Sequence, residues 1–312
     1  MRLIAEALSS SRLAAPATLF SLNNTSSAAS KLKSGSVIFS PLQDKASDAL
    51  YYCKCCAFRL LQHQPIFTPS CIYSGVMPMV TSPKTVLIAG ASRGLGHAMA
   101  EQFLLHGWQV IGTVRDLSQT TPLHHLAEAY PGRVRIEALD ICDSDGIAAL
   151  RNALADSVLD MLFVNAGTTN RDPTQTIGEI ATEEFIHVML TNALAPMRVI
   201  ENLQALVLPQ GLIGVMSSGQ GSLSNNTGGQ RELYRGSKAA LNMFMRSFAA
   251  RPASVSHPMV VMAPGWIRTA LGGESAPLTM AETIPSLVNV LLEKQNRPGL
   301  EYLDYRGCRV PW

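Results

Sequence analysis

The chain has 312 residues, of which 47% are hydrophobic and 15% charged, and its net charge at pH 7 is only +2. This composition is typical of a soluble α/β protein with enough apolar side chains for a large core. The small net charge gives no reason to expect a nucleic acid or an anionic membrane as partner. No run reaches the roughly 18 apolar residues that a membrane-spanning helix needs.

The charges are distributed unevenly along the chain. Residues 1–82 hold 7 Lys or Arg against 3 Asp or Glu, whereas residues 83–312 hold 18 against 20. The first segment shows no helical or strand periodicity, so we predict an extension over 1–82 and a single folded domain over 83–312. Residues 1–40 resemble an organelle transit peptide; the alternatives are a disordered extension and a start codon assigned upstream of Met77 or Met79. Without such targeting, a cytoplasmic protein is expected.

The cysteines favour free thiols over a metal site. Four of the six lie in the extension, at Cys53, Cys55, Cys56 and Cys71. Their spacing lacks the paired C-x-x-C of common zinc modules, so no metal is predicted. The two in the domain, Cys142 and Cys308, suit a reducing compartment.

Strand-like and helix-like segments alternate through the domain. The predicted strands are Thr85–Ala89, Gln109–Val114, Val134–Leu139, Leu159–Val164, Leu212–Ser217, Pro258–Ala263 and Leu300–Asp304. The predicted helices are His97–His106, Leu123–Tyr130, Ser144–Ala155, Thr182–Leu206, 234–250 and Thr279–Gln295. The alternation predicts a Rossmann-type, doubly wound parallel β-sheet with helices on both faces. The long helix Thr182–Leu206 must accommodate Pro196.

A glycine-rich turn follows the first strand. It reads Gly90-Ala-Ser-Arg-Gly-Leu-Gly96 and leads into the first helix. In a doubly wound sheet a phosphate binds at such a helix N-terminus, where glycines let backbone N–H groups approach it. The sequence therefore predicts a dinucleotide cradle made by Gly90, Ser92, Arg93, Gly94, Leu95 and Gly96. The alternative is a strand-to-helix turn that binds nothing.

The end of the second strand favours one dinucleotide over the other. NAD enzymes place an acid there for the ribose 2′-OH, whereas NADP enzymes supply arginine for the 2′-phosphate. Val114 occupies the expected acid position, Arg115 follows it, and Arg93 lies in the glycine turn. Two guanidiniums suit a phosphate dianion. NADP(H) is therefore predicted, although Asp116, one residue further on, leaves NAD(H) as the alternative.

Tyr234 and Lys238 stand four residues apart on a predicted helix. Residues at i and i+4 share a helix face, so the Lys238 ammonium is expected beneath the phenol, where it favours phenolate. A free tyrosine has a pKa of about 10, and a shift of roughly 3 units is needed for proton transfer near neutrality. The pair predicts proton transfer to a substrate oxygen; the alternative is an ordinary core tyrosine and a solvated lysine.

Taken together, these motifs resemble the short-chain dehydrogenase/reductase family. Asp140-Ile141 resembles the family's adenine-contacting pair, and Asn165-Ala166-Gly167 resembles its Asn-Asn-Ala-Gly, with Val164 replacing the first asparagine. Asn192 matches the helix asparagine, and Ser217-Ser218 matches the catalytic-serine site. The segment Pro264–Thr269 resembles the one that closes over the nicotinamide. Val114-Arg115-Asp116 and the Asn-Thr-Gly-Gly before Tyr234 resemble a sniffer-like carbonyl reductase subgroup.

The resemblance implies hydride transfer between a nicotinamide and a small carbonyl or alcohol compound. The implied catalytic residues are Asn192, Ser218, Tyr234 and Lys238, with Asn192 holding a water that connects Lys238 to solvent. The implied cofactor contacts beyond the glycine turn and Arg115 are Asp140, Ile141, Asn165, Ala166, Gly167, Tyr234, Lys238, Pro264, Gly265, Ile267 and Thr269.

The serine assignment has a rival. Ser218 lies sixteen residues before Tyr234, farther than is usual in the family, whereas Ser222 lies twelve before it. Ser218 is preferred because it directly follows the strand, provided that the insertion in Gly221–Glu232 loops outward.

Other functional interpretations stay open at this level. One is an NAD-dependent alcohol dehydrogenase of the same family, and another is a non-catalytic dinucleotide sensor. The short segment between Thr269 and Thr279 predicts an open pocket for small or varied carbonyl compounds. Either a monomer or a homodimer is expected.

Overall fold

The computed structural model describes residues 82–252 and 257–312, in which seven strands form one parallel sheet. In chain order the strands are β1 (Thr85–Ala89), β2 (Gln109–Val114), β3 (Val134–Ala138), β4 (Leu159–Val164), β5 (Val207–Met216), β6 (Pro258–Ala263) and β7 (Gly299–Asp304). Their order across the sheet is β3-β2-β1-β4-β5-β6-β7. The strand order reverses between β1 and β4, and ligands of doubly wound sheets bind at such a switch point.

Helices cover both faces of this sheet. They are α1 (Gly94–Leu105), α2 (Pro122–Ala129), α3 (Ser144–Ala153), α4 (Thr182–Met189), α5 (Ala195–Leu203), α6 (Glu232–Ala249) and α7 (Met280–Lys294). One apolar cluster joins side chains of α3, α5 and α6 to one face of the sheet, and a second joins α1, α2 and α7 to the other. The predicted Rossmann-type, doubly wound architecture is therefore confirmed.

The apolar runs explain why the central strands lie where they do. Val86 and Ile88 of β1 pack into one cluster, and Leu87 and Ala89 pack into the other. Alternate side chains of a strand point to opposite faces, so a strand covered by helices on both sides must be apolar throughout. Each large aliphatic side chain buried in this way contributes about 1.5–3 kcal/mol.

The predicted helix Thr182–Leu206 is wrong as a single α-helix. α4 ends at Met189, a π-helical turn spans Leu190–Leu194, and α5 then runs from Ala195 to Leu203. Pro196 cannot donate a backbone hydrogen bond, and its ring would clash with the Asn192 carbonyl in a regular α-helix. The wider π turn avoids this conflict and contains Asn192, as such turns often contain functional residues.

Two further boundaries differ from the sequence prediction by three residues or more. α1 begins at Gly94 rather than His97, because glycines with low helix propensity concealed its first turn. β5 begins at Val207 rather than Leu212, and its register against β4 shifts between Leu159 and Met161. The first half of the strand has three successive exposed residues and contains Pro209 and Gly211, so its sequence shows no strand periodicity.

The predictions for residues 1–82 include the transit-peptide resemblance and the four cysteines. Residues 1–81 lie outside the part of the chain that the structure describes. Within the described ranges, none of the helices combines the length and apolar character needed to cross a bilayer. The same residues contain no cluster of three or more histidine, cysteine or carboxylate side chains suited to a metal ion.

Candidate active site

A cavity of about 900 Å³ lies at the carboxyl ends of the strands. Six wall residues immediately follow strands β1 to β6: Gly90, Arg115, Leu139, Asn165, Ser217 and Pro264. Of the residues predicted to bind the cofactor or to catalyse, all but Gly96 and Asn192 line this cavity. A smaller cavity of about 340 Å³ involves none of them. The fold thus brings the separate motifs of the sequence to one place.

The glycine turn requires glycine at both of its ends. Gly90 has a φ of +91°, and a Cβ there would lie 2.8 Å from the Cβ of Ala166. A Cβ on Gly96 would lie 2.1 Å from the carbonyl oxygen of Gly90. Gly96 does not line the cavity and acts by permitting this close approach of α1 to β1.

The N-terminus of α1 is suited to a phosphate. Arg93 at the N-cap makes no side-chain capping bond, and the first turn holds no acidic residue. The first backbone N–H groups of a helix have no partner within the helix, and they attract anions. The residues present therefore fit the pyrophosphate of a dinucleotide.

Neighbouring strands hold the turn in place. The Gly90 backbone N–H donates to the Thr113 hydroxyl at 2.9 Å, and the Asn165 side chain donates to the Gly90 carbonyl at 2.8 Å. Thr113 was not predicted, since a buried threonine in a strand carries no distinctive sequence signal. These bonds give the cradle a fixed shape before any ligand arrives.

The arginine arrangement matches the predicted phosphate preference. Arg93 and Arg115 both line the cavity, whereas Asp116 does not. Asp116 is exposed and accepts hydrogen bonds from Ser118 and Gln119. The bond from the Ser118 hydroxyl is the main reason why the pKa of the Asp116 carboxyl is lowered. This carboxylate therefore belongs to its own loop and does not occupy the position of an NAD-binding acid.

Tyr234 and Lys238 are both buried on α6 and line the cavity. The Lys238 Nζ lies 5.9 Å from the centroid of the Tyr234 ring and donates to the Met216 carbonyl at 2.9 Å. Burial lowers the pKa of Lys238 to about 8. The two side chains therefore share a face, as their spacing predicts.

The protonation of Tyr234 differs from the expectation. Burial raises the pKa of its phenol, although the nearby Ser218 hydroxyl and the charge of Arg231 lower it. Lys238 is not among the groups that lower the pKa of Tyr234, although it lies on the same helix face. In the protein without cofactor, Tyr234 is a neutral phenol at pH 7.

The structure separates the two candidate serines. Ser218 lines the cavity and caps a short 3₁₀ turn, Gly219–Gly221, by accepting from the Gln220 backbone at 3.2 Å. Ser222 lies outside the cavity wall, and its hydroxyl donates to the carbonyl of Trp312 at 3.4 Å. Residues 223–230 are all exposed, so the insertion before Tyr234 does loop outward.

Asn192 lies behind the cavity and not in its wall. Its amide donates to the Thr168 carbonyl at 2.8 Å and to the Ser237 hydroxyl at 2.9 Å, and it accepts from the Thr168 backbone N–H at 2.8 Å. A Cβ on Gly167 would lie 3.3 Å from both the Asn192 Oδ1 and the Lys238 Nζ, so these two atoms flank one glycine. The water relay through Asn192 stays a prediction.

Two residues that were not predicted hold the serine turn against α6. Asn242 accepts from the Ser217 hydroxyl at 2.7 Å and donates to the Gly221 carbonyl at 3.2 Å, while the Tyr302 hydroxyl donates to the Ser218 carbonyl. Asn242 follows Lys238 by four residues, a helical spacing that could have indicated it. Tyr302 comes from β7, and no local pattern relates it to Ser218.

The segment after β6 closes one side of the cavity. Ile267 pairs with Leu278 in an isolated bridge, and the Trp266 indole donates to the Gly272 carbonyl at 2.8 Å. Trp266 is nevertheless 51% exposed, and Leu271 is 42% exposed. The wall here is short and partly apolar, in keeping with the predicted open pocket.

A parallel α/β sheet with a glycine turn at its switch point and a tyrosine–lysine pair beside it defines a nucleotide-dependent oxidoreductase. The short chain dehydrogenase family model matches residues 84–277. The chain belongs to this family, as the sequence motifs indicated.

Known proteins similar to this chain include several that are named as reductases or dehydrogenases. A short-chain dehydrogenase/reductase from Burkholderia multivorans, solved with bound NADP, is 62% identical; the match covers 74% of this chain and 100% of that one, with a TM-score of 0.73. The carbonyl reductase Sniffer of D. melanogaster is 26% identical over 74% of this chain and 100% of its own, with a TM-score of 0.65. The NADPH-dependent pterin aldehyde reductase of Arabidopsis thaliana is 30% identical over 67% of this chain and 87% of its own.

Proposed function

We propose that this protein is an NADP(H)-dependent oxidoreductase that interconverts a small carbonyl compound and its alcohol. The observation that carries the proposal is the meeting of Ser218, Tyr234 and Lys238 in the same cavity as the glycine turn and its two arginines. A dinucleotide held along that wall would extend from Arg115 at one end to Lys238 at the other.

The cofactor would provide the hydride and the protein the proton. NADPH, when bound, would supply the hydride for the carbonyl carbon, and Tyr234 would donate its phenolic proton to the carbonyl oxygen. Because the pKa of Tyr234 is raised by burial, the phenol is protonated at neutral pH, as a general acid must be. In the oxidative direction the same oxygen accepts the proton of the alcohol.

Ser218 would orient the substrate, and Lys238 would place a positive charge beside the reacting groups. The Ser218 hydroxyl is near Tyr234 and would donate to the substrate oxygen, which places that oxygen next to the phenol. Lys238 would hold the nicotinamide ribose and stabilise negative charge on Tyr234 after proton transfer. Asn192 would hold the water through which Lys238 exchanges protons with solvent.

The NADP(H) preference is supported by Arg93 and Arg115 in the cavity wall and by the position of Asp116 outside it. Two of the similar proteins also carry NADP or NADPH in their descriptions. In Arg115→Ala the ratio of kcat/KM for NADPH to kcat/KM for NADH should fall by about tenfold to a hundredfold, since one charge-assisted bond to phosphate is lost. Steady-state kinetics with both cofactors measures this ratio. Arg151→Met, on the exposed side of α3, is the charge control, and an unchanged ratio in Arg115→Ala would show that this guanidinium does not select the cofactor.

The two serines give a second comparison. Ser218→Ala should lower kcat by about tenfold to a hundredfold, because the substrate oxygen loses a positioned donor. Ser222→Ala should instead lower the free energy of unfolding by about 1 kcal/mol, because its lost bond is to the carbonyl of Trp312. Kinetics and urea unfolding of both variants separate the two roles. The reverse pattern would assign catalysis to Ser222.

The reaction itself is tested with purified full-length protein, NADPH and a panel of aldehydes and ketones, by following the loss of NADPH absorbance. Turnover of any of these compounds supports the proposal. NADPH binding without turnover of any compound would instead favour a dinucleotide sensor.

A further inference from the structure

The cavity contains an arginine to which none of the steps above assigns a role. Arg231 directly precedes α6 and lines the cavity together with Ser218 and Tyr234. Its guanidinium carbon lies 5.2 Å from the centroid of the Tyr234 ring. Because arginine stays protonated throughout the pH range of folded proteins, this side chain places a permanent positive charge beside the proton donor.

Buried polar atoms in this wall are left without hydrogen-bond partners. Within residues 82–252 and 257–312, two buried side-chain atoms lack a hydrogen-bond partner, the Nε of Arg231 and the Oε1 of Gln220. Both residues line the same cavity. Native proteins pair nearly all buried polar atoms, since leaving one unpaired is costly. The unpaired Nε of Arg231 is therefore available to donate to a ligand that enters the cavity.

No carboxylate of the described residues neutralises Arg231, which forms no ion pair with any of them. Asp140 is the acidic residue that the described part of the cavity wall contains, and it follows β3 and accepts from the backbone N–H of Cys142. Arg93 and Arg115 lie with the glycine turn, and Lys238 donates to a backbone carbonyl. Among the arginine and lysine side chains of the described cavity wall, Arg231 is therefore the one to which the proposed cofactor contacts assign no partner.

The backbone that carries Arg231 is strained. Gly229, Gln230 and Arg231 have successive φ values of 60°, 59° and 51°. Only glycine adopts this left-handed conformation readily, so its persistence at two larger residues is typical of a binding site. Helix stability does not account for it either, since a cation at a helix N-terminus opposes the helix dipole.

We propose that Arg231 is the specificity-determining residue of the site and that it binds a carboxylate on the substrate. The preferred substrates would be carbonyl compounds that also carry an acid group, such as oxo acids or formyl-substituted aromatic acids. The guanidinium donates to the carboxylate oxygens of such a substrate. This inference rests on the reductase proposed above, because it assigns the second group of that enzyme's substrate.

Binding tests the inference without requiring turnover. Titration calorimetry of the full chain with saturating NADP⁺ compares benzoate with its neutral counterpart benzamide. The wild-type protein should bind benzoate about tenfold or more tightly than benzamide, and Arg231→Met should remove this preference. Arg231→Lys should keep part of it, and Arg151→Met should keep all of it. Equal binding of the two compounds by the wild-type protein, or a preference that survives in Arg231→Met, would overturn the inference.

Turnover provides a second test with an internal control. The three formylbenzoate isomers and their methyl esters are compared as substrates, and the acid-to-ester ratio of kcat/KM is taken within each variant. This ratio cancels any effect of Arg231 on Tyr234 or on folding. It should fall about tenfold or more in Arg231→Met for at least one isomer; ratios unchanged for all three would contradict the inference. If none of the compounds is reduced, the proposed reductase fails, while the benzoate titration still decides the role of Arg231.

Discussion

Tyr234→Phe should reduce kcat by about a thousandfold, since the general acid of a carbonyl reduction contributes roughly 10²–10⁴ to the rate. The change removes one hydroxyl from a buried ring and leaves the packing intact. NADPH affinity should therefore change by less than about threefold, because the lost interaction is made mainly in the transition state. Single-turnover kinetics with NADPH and an aldehyde, together with a fluorescence titration of NADPH, measures both quantities.

The matched control for this change is Tyr130→Phe. Tyr130 directly follows α2 and lies outside the cavity wall, so Tyr130→Phe removes the same hydroxyl without touching the site. Activity in Tyr130→Phe should equal that of the wild type. If Tyr234→Phe kept more than about a tenth of the wild-type kcat, another group would have to deliver the proton.

Lys238→Met should separate activity from stability. Loss of the ammonium should lower kcat/KM by about a hundredfold or more, because a positioned charge near the reacting groups disappears. The folded protein without cofactor should nevertheless be at least as stable at pH 7. The pKa of Lys238 is lowered from 10.5 to about 8 by burial, which corresponds to a cost of about 3 kcal/mol for the charged form. The variant leaves the Met216 carbonyl without a donor, which costs only about 1 kcal/mol and therefore offsets a small part of the gain.

The pH dependence of this difference has a definite sign. Between pH 8 and 10.5 the unfolded wild-type chain holds the Lys238 proton and the folded chain does not, so wild-type stability rises with pH in this window. The advantage of Lys238→Met should therefore be fully present below pH 8 and shrink above it. Urea unfolding of both proteins at pH 7 and pH 9.5 measures the change.

Lys294 provides the contrast for Lys238. It is also fully buried, but its Nζ donates to the Gly299 carbonyl at 2.8 Å and forms an ion pair with Glu301 at 3.5 Å. Lys294→Met should destabilise the protein at pH 7, since these partners are lost together. If Lys238→Met were destabilising to the same extent, Lys238 would be a structural lysine and its functional assignment would fail.

The architecture and the cofactor end of the site could be predicted from the sequence because both depend on local patterns. An apolar run such as Thr85–Ala89 can be buried only between two helical layers, and Gly90 and Gly96 are required by a turn closed within seven residues. The shared face of Tyr234 and Lys238 follows from helix geometry alone. The family assignment rested on the order of these motifs, and the family match confirmed it.

Interactions between segments distant in the chain were decided only by the tertiary structure. Sequence spacing could not choose between Ser218 and Ser222. Ser222 is bonded to the distant Trp312 carbonyl and precedes the outward loop 223–230, so that Ser218 is the serine that faces the cavity. The π turn around Asn192 arises from a local proline, but its partners Thr168 and Ser237 come from other elements. Arg231 resembles any surface arginine in sequence.

The sequence thus determined the fold, the dinucleotide cradle and the tyrosine–lysine pair, because each follows from backbone periodicity or from residues a few positions apart. The tertiary structure alone decided which serine faces that pair, how burial sets the protonation of Tyr234, and which arginine stands unpaired beside it. The physical reason is that burial, hydrogen-bond partners and electrostatic neighbours are properties of the assembled cavity, whose walls come from six strand ends and the turn before α6.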